Sequence, residues 1–170
     1  MRITALEEYG LRCMVLLAKS SPSTSLSLTE IGEREGLSVP YVGKLLGMLK
    51  QAELVNAERG RNGGYVLARS ADRISLKEVF DALGEPLFGA NHCEKYTSGE
   101  QVGQCVHVGD CTVRDVWATF NGLISDILER ITLDDLASKK SRGRLNLLAM
   151  AGIERSSIPV RSGVDDALSR

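Results

Sequence analysis

Residues 27–68 read SLTEIGEREGLSVPYVGKLLGMLKQAELVNAERGRNGGYVLA, and this stretch decides the fold. It opens on Ser27-Leu28-Thr29-Glu30, a capping box in which the Ser and Glu side chains each satisfy a backbone N–H at the start of a helix. Gly36 ends that helix, because glycine is favoured just after a helix C-terminus. Ser38 can cap a second helix that runs to about residue 52. Two short helices joined by a Gly-containing turn predict a helix-turn-helix.

The segments around this motif complete a winged helix-turn-helix. The second helix has apolar residues at three- and four-residue spacing, which predict a buried stripe of Val42, Leu45, Leu46 and Leu49. Residues 54–59 and 65–68 predict two strands, and the Gly-rich stretch between them predicts the turn of a β-hairpin, the wing. An amphipathic helix over residues 3–19 precedes the motif, a linker spans residues 20–27, and a second capping box at Ser75 begins a further helix.

The second helix and the wing carry candidate contacts to DNA. A helix fits the major groove, and the beginning of such a recognition helix usually meets the bases. An Arg at a hairpin tip can enter a narrow minor groove. Each charged residue taken singly is also consistent with a solvated surface, but the order of the elements favours binding to double-stranded DNA. The candidate contacts are Ser38, Pro40, Tyr41, Lys44, Arg59 and Arg61.

The second half of the chain predicts a loop, a long helix and a tail. Residues 85–111 show no periodicity, and loops of such length are usually functional or disordered. Thr112 begins a long helix with a wide apolar stripe, made of Val113, Val116, Trp117, Phe120, Leu123, Ile124, Ile127, Leu128 and Ile131. Because residues 3–83 are expected to supply the core, the stripe favours a subunit interface, with folding back onto its own domain as the alternative.

Three of the four cysteines lie in this loop, at Cys93, Cys105 and Cys111. Structural zinc sites usually contain closely spaced cysteine pairs, which the C-x11-C-x5-C spacing lacks. Thiolates suit iron–sulfur clusters, which normally take four protein ligands, so a fourth ligand must come from elsewhere. Free redox thiols are the alternative. Cys111 precedes the long helix, whose dipole favours the thiolate, whereas Cys13 lies on an apolar helix face and is expected in the core.

The fold class is therefore mainly α with a small β-hairpin, a winged helix-turn-helix followed by a long C-terminal dimerisation helix. We expect residues 1–84 to form the DNA-binding domain and residues 85–111 a cysteine-rich loop. Residues 112–137 form the dimerisation helix and a following turn, and residues 138–170 form a flexible tail in which the periodicity decays.

Composition and charge exclude several classes of protein. Hydrophobic residues make up 43% and charged residues 25% of the 170 residues, which excludes global disorder. With 21 Lys and Arg against 22 Asp and Glu, a histone-like binder is disfavoured, although a basic face is still open. No apolar run reaches the roughly 20 residues of a membrane span, and the acidic start is unlike a signal peptide, so we expect a cytoplasmic protein. The sequence contains no recognisable Ser/His/Asp set, phosphate-binding loop or paired-carboxylate site, so we do not expect an enzyme.

Residues 1–136 resemble the Rrf-type bacterial winged-helix regulators, the group that includes IscR, NsrR, RirA and RsrR. The resemblance rests on the start Met1-Arg2-Ile3-Thr4, on the recognition-helix stretch GLSVPYV at 36–42 and on the wing stretch RGRNGGY at 59–65. The three loop cysteines and the late stretch TLDDL at 132–136 complete it.

This resemblance implies a homodimer that binds a DNA operator and whose iron–sulfur cluster sets the affinity. Cys93, Cys105 and Cys111 would then be cluster ligands. In NsrR-like and RsrR-like members an acidic residue at the place of Glu8 ligates across the dimer, so Glu8 from the partner subunit is the preferred fourth ligand. IscR-like members have a His where Arg114 stands here, which leaves His107 as the fallback.

The resulting hypothesis is a regulator that senses redox state, iron–sulfur status or nitric oxide. The wide gap between the first two loop cysteines leaves both a 2Fe–2S and a 4Fe–4S cluster open, the former preferred. IscR-like members carry a Glu at the position of Gly43, so their switch between operator classes is not expected. Two alternatives stay open: a cluster-free thiol or zinc-binding winged-helix regulator, and an iron–sulfur carrier or assembly factor.

Overall fold

The computed structural model of the chain describes residues 3–20, 24–58, 60, 63–84 and 111–138. The helices are α1 (Ala5–Lys19), α2 (Leu28–Glu35), α3 (Val39–Gln51), α4 (Leu76–Leu83), α5 (Thr112–Arg130) and α6 (Leu133–Ala137). The strands β1 (Val55–Glu58) and β2 (Gly64–Leu67) pair antiparallel, and a short 3-10 helix spans Ala71–Arg73. The mainly α fold with a small β-hairpin is therefore confirmed.

Capping boxes set the beginning of most of these helices. The predicted boxes at Ser27 and Ser75 are both present, and Thr4 and Thr132 form two more that were not predicted. Ser38 occupies the cap position of α3, but its side chain makes no capping hydrogen bond, so the expected cap is wrong in that respect. The early Pro40 explains why α3 still begins there, since a proline in the first turn loses no helical hydrogen bond and has the helical φ built in.

The hairpin is held on the helices by a residue from the expected linker. The Leu26 N–H donates to the Tyr65 carbonyl at 3.1 Å, and the Tyr65 N–H donates back to the Leu26 carbonyl at 2.8 Å. A Cβ at Gly64 would lie 2.6 Å from the Leu26 carbonyl carbon, so only glycine allows this approach. Leu26 is itself buried. The prediction of a plain linker over 20–27 was therefore wrong at this residue.

The core confirms the stripe predicted for α3 and extends beyond the region predicted to supply it. Val42, Leu45, Leu46 and Leu49 are all fully buried. The chain after α5 also enters the core, because the Leu76 N–H donates to the Ile131 carbonyl at 2.8 Å and the Leu133 N–H donates to the Ile74 carbonyl at 2.9 Å. Ile131 and Leu133 are buried as a result. The expectation that residues 3–83 supply the whole core was wrong, and Ile131 follows α5 instead of lying on it.

Helix α1 lies at the centre of the domain and packs against α2, α3, α4, α6 and β2. It approaches α4 closely at Gly10, where an added Cβ would lie 2.4 Å from Cδ1 and 3.1 Å from Cγ of Leu83. Leu83 is buried and has no solvent into which it can turn. Glycine at position 10 therefore leaves room for the Leu83 side chain between α1 and α4.

We predict that Gly10→Ala lowers the free energy of unfolding by about 1–3 kcal/mol, because the new methyl group overpacks the contact with Leu83. The matched control is Gly47→Ala, since a Cβ at Gly47 of α3 meets nothing within 4 Å. That variant should gain up to about 1 kcal/mol from the better helix propensity of alanine. Urea unfolding of the two variants measures both effects, and equal changes in the two would contradict this packing.

Candidate nucleic-acid interface and thiol ligands

The exposed face of α3 lies opposite its buried stripe. Pro40, Lys44 and Gly47 recur on it at helical spacing, and all three are exposed. Ser38 is also exposed, and its hydroxyl takes no part in capping α3. The beginning of α3 is thus presented to the surroundings with small, apolar and cationic side chains.

Tyr41 is held differently from the other candidate contacts. Its ring packs edge-on against Tyr9 of α1, with 6.0 Å between the ring centroids and 83° between the ring planes, and the side chain is half-buried. This contact joins the recognition helix α3 to α1. A contact between Tyr41 and bases stays a prediction.

Arg12 of α1 extends this contact to α2. Its Nε donates to Oε2 of Glu35 at 2.8 Å, its Nη2 donates to the Glu35 carbonyl at 3.1 Å, and its guanidinium lies 5.5 Å from the centre of the Tyr9 ring. Glu8 stands four residues before Arg12, at helical spacing, but the guanidinium pairs with Glu35 of α2. The spacing of Tyr9 and Arg12 by three residues is the signal that could have indicated their stacking. Glu8 remains exposed on the outer side of α1.

The wing turn is tight where the structure describes it. Gly60 has φ +127°, a conformation that other residues rarely adopt, and the Gly63 N–H donates to the Gly60 carbonyl at 3.0 Å. A Cβ at Gly63 would lie 2.7 Å from the Glu58 carbonyl oxygen. Arg59 and Arg61 lie outside the described residues.

The two cysteines within the described residues have different surroundings. Cys13 is fully buried in α1, and this burial raises the pKa of its thiol to about 11, with the nearby Glu35 charge adding to the effect and Arg12 opposing it. A thiol with that pKa is protonated at neutral pH and makes a poor metal ligand. Its expected place in the core is confirmed.

Cys111 occupies the cap position of α5, where its Sγ accepts the Arg114 backbone N–H at 3.4 Å. It is only half-buried. Cysteine sulfur is the donor that iron–sulfur clusters take from proteins, and this sulfur is partly accessible, so the residue fits such a cluster. Cys93, Cys105 and His107 lie outside the described residues. In the part of the chain that is described, no three His, Cys, Asp or Glu side chains come together as a metal site.

Helix α5 is exposed along most of its apolar stripe. The large apolar side chains that it exposes are Val113, Val116, Trp117, Phe120 and Leu123, the last with 55% of its surface accessible. Towards the other end, Ile127 and Leu128 pack against the core. None of the helices in the described ranges is long and apolar enough to cross a membrane.

Comparison with known proteins places this arrangement in a family. Residues 3–139 match the family model of Rrf2, described as an iron-dependent transcriptional regulator. The HTH-type transcriptional regulator IscR of Pectobacterium carotovorum subsp. carotovorum is 33% identical over 140 residues, which cover 82% of this chain and 81% of that protein.

Two solved structures share the fold. The global cysteine regulator CymR of B. subtilis matches with a TM-score of 0.64 and 28% identity, over 81% of this chain and 96% of CymR. IscR of T. potens matches with a TM-score of 0.63 and 25% identity, over 94% of this chain and 93% of that one. The chain therefore belongs to the Rrf2 family of winged-helix transcriptional regulators, and its role is regulatory and not enzymatic.

Proposed function

We propose that the chain forms a homodimer that binds a double-stranded DNA operator with an affinity set by an iron–sulfur cluster. The observation that carries this proposal is the contact of α1 with the recognition helix. Helix α1 exposes Glu8 on one side and packs Tyr9 against Tyr41 of α3 on the other. Helix α1 thus carries a candidate metal ligand and also contacts the helix that we propose meets DNA. A regulator of transcription must reach the DNA, and this supports a cytoplasmic location for the protein.

The DNA surface consists of the beginning of α3 and the wing. Lys44 supplies a positive charge, and the exposed Ser38 hydroxyl is available because it caps nothing. A glycine inside a helix costs about 1 kcal/mol relative to alanine, and the space around Gly47 would accept an alanine. A close approach of α3 to the groove explains why glycine stands there. Arg59 and Arg61 would add contacts from the wing, and Tyr41 and Pro40 complete the set.

The dimer forms through α5. Its exposed apolar side chains make a surface that a monomer would leave in water, and a second copy of α5 would cover it. The Leu76 N–H donates to the carbonyl of Ile131, the residue that follows α5, and this hydrogen bond ties the end of α5 to the start of α4. The spacing of the two recognition helices would therefore follow the α5 contact. Dimers of this kind read half-sites about one DNA turn apart. We take residues 112–137 as the dimerisation unit, 1–84 as the DNA-binding domain and 85–111 as the cluster loop.

Cys93, Cys105 and Cys111 would hold the cluster, with Glu8 from the partner subunit as the fourth ligand and His107 as the fallback. A 2Fe–2S cluster is preferred and a 4Fe–4S cluster is possible within this ligand set. When bound, such a cluster supplies iron that reacts with oxidants and nitric oxide. The capping role of the neighbouring Glu7 leaves Glu8 as the outward carboxylate of this turn, and an oxygen donor leaves iron more readily than a thiolate.

The chain's own contacts would carry a change at α1 to the DNA surface. Gly10 and Leu83 fit too closely for α1 to shift without repacking. The Arg12–Glu35 ion pair ties α1 to α2, and the edge contact of Tyr9 with Tyr41 ties it to α3. A shift of α1 would therefore move both helices of the helix-turn-helix and alter how they fit the groove.

A cluster-free thiol or zinc regulator is the second candidate. The likeness to CymR, which is described as a global cysteine regulator, favours it, and so does the half-buried Cys111 thiol at a helix N-terminus. Iron and acid-labile sulfide in anaerobically purified protein would decide for the cluster, and a colourless protein would decide for the thiols or zinc. The third hypothesis, an iron–sulfur carrier or assembly factor, would not explain why the chain belongs to a family of transcriptional regulators.

We predict that Gly47→Ala weakens operator binding by about fivefold or more while the fold gains stability, because the new methyl group stands between α3 and the groove. Gly122→Ala is the matched control, since Gly122 of α5 is equally open and should gain stability without losing affinity. Fluorescence anisotropy with a labelled duplex measures the affinities. Unchanged affinity of the Gly47 variant would show that α3 does not approach DNA at this point.

We predict that Cys111→Ala abolishes iron–sulfur incorporation, whereas Cys13→Ala leaves the iron content per chain unchanged, because only the former thiol is placed as a ligand. Iron and acid-labile sulfide assays after anaerobic purification give the answer. An unchanged iron content per chain in the Cys111 variant would show that Cys111 is not a cluster ligand.

We predict that Phe120→Glu converts the dimer to a monomer of 18.4 kDa, because a carboxylate would be buried in the apolar α5 contact. Ala118→Glu adds the same charge to another side of α5 and should leave the dimer intact. Light scattering coupled to size exclusion measures both masses, and a dimeric Phe120 variant would place the interface elsewhere.

A further inference from the structure

We infer that the first turn of α3 recognises thymine by apolar contact, through the ring of Pro40 and the methyl groups of Val39. This inference rests on the proposed entry of α3 into the major groove of DNA. It assigns to Val39 a role in sequence recognition and specifies which base the leading end of α3 selects.

The two side chains form an exposed apolar edge at the start of α3. Val39 has 40% of its surface accessible, and Pro40 is exposed next to it. Exposed apolar side chains of this size are few in the described ranges outside α5, and these two stand at the helix end that usually meets bases.

The edge is also rigid. Val39 lies beside Gly32 of α2, with Cγ2 3.8 Å from where a Cβ on that glycine would stand. Gly32 itself cannot take a side chain, because its Cβ would lie 2.8 Å from the Leu37 carbonyl oxygen. A β-branched side chain in a helix has one strongly preferred rotamer, and the proline ring has almost no freedom. When this edge contacts a base, its side chains therefore lose very little conformational entropy.

Few hydrogen-bonding side chains accompany this edge. Between Val39 and Gly47, α3 contains no Arg, Asn, Gln, Asp or Glu, so Lys44 is the one residue of this stretch that belongs to the types pairing with base edges. Ser38 and Lys44 are the polar groups on the exposed face of these turns. Tyr41, also a proposed DNA contact, is half-buried with its ring against Tyr9. Of the four bases, thymine presents a methyl group in the major groove, so it is the base that an apolar edge can select.

The test combines protein variants with a change of one methyl group in the DNA. A duplex is first selected from random sequences with the full wild-type chain. Each thymine is then replaced singly by uracil, which removes only the 5-methyl group. At one or two positions in each half-site, uracil should weaken wild-type binding by about three- to fivefold, the value of one buried methyl group.

The protein variants locate the contact. The loss of affinity that uracil causes at such a position is called the uracil penalty. In Pro40→Ala or Val39→Ala this penalty should fall to about 1.5-fold or less. Lys44→Ala is the control, because losing a charge should weaken binding to every duplex and keep the uracil penalty. Circular dichroism confirms the fold of each variant, and either apolar variant alone suffices for the test.

Two results would overturn the inference. One is selective binding by the wild type with no uracil penalty anywhere in the duplex, and the other is a penalty that persists unchanged in both apolar variants. In both cases DNA binding itself survives. Failure of the wild type to select any sequence would instead overturn the proposed operator binding and this inference with it.

Discussion

The packing of α1 against the rest of the winged helix is the constraint on which the structure depends. Cys13 and Met14 have no exposed surface, and Gly10 admits the side chain of Leu83 at a distance that no larger residue would allow. Because protein interiors are closely packed, a helix held in this way moves together with its neighbours or not at all. In a regulator of the Rrf2 family, this property suits α1 to connect the proposed cluster ligand Glu8 with the proposed DNA surface on α3.

Two further sets of contacts link α1 and α5 to the rest of the domain. The Tyr9 ring meets Tyr41 and the Arg12 guanidinium meets Glu35, so both helices of the DNA-binding motif contact the same turn of α1. At the other end of the domain, the backbone pairing that follows α5 joins the proposed dimer helix to the core. The relative position of two recognition helices in a dimer would then depend on both contacts, which is what a switch of operator affinity requires.

Local patterns in the sequence predicted the local structure well. The boxes at Ser27 and Ser75 depend on residues three apart, and the α3 stripe follows from the helical period, so both could be found without knowing the fold. The pairing of Leu26 with Tyr65 and the burial of Leu133 join distant parts of the chain, and no local period encodes them. Glu8 stands at helical spacing from Arg12, yet the tertiary fold places Glu35 against the guanidinium. Of the candidate site, Lys44 and Cys111 stand where the sequence placed them, whereas the half-buried position of Tyr41 depends on a neighbour from another helix.

The most direct measurement of the central claim is the affinity of one operator duplex for the same protein with and without its iron. The protein would be purified anaerobically, one half would be treated with a chelator, and circular dichroism would confirm that both halves are folded. Coupling through α1 predicts that the two dissociation constants differ by about fivefold or more. Equal dissociation constants for the two folded forms would contradict it.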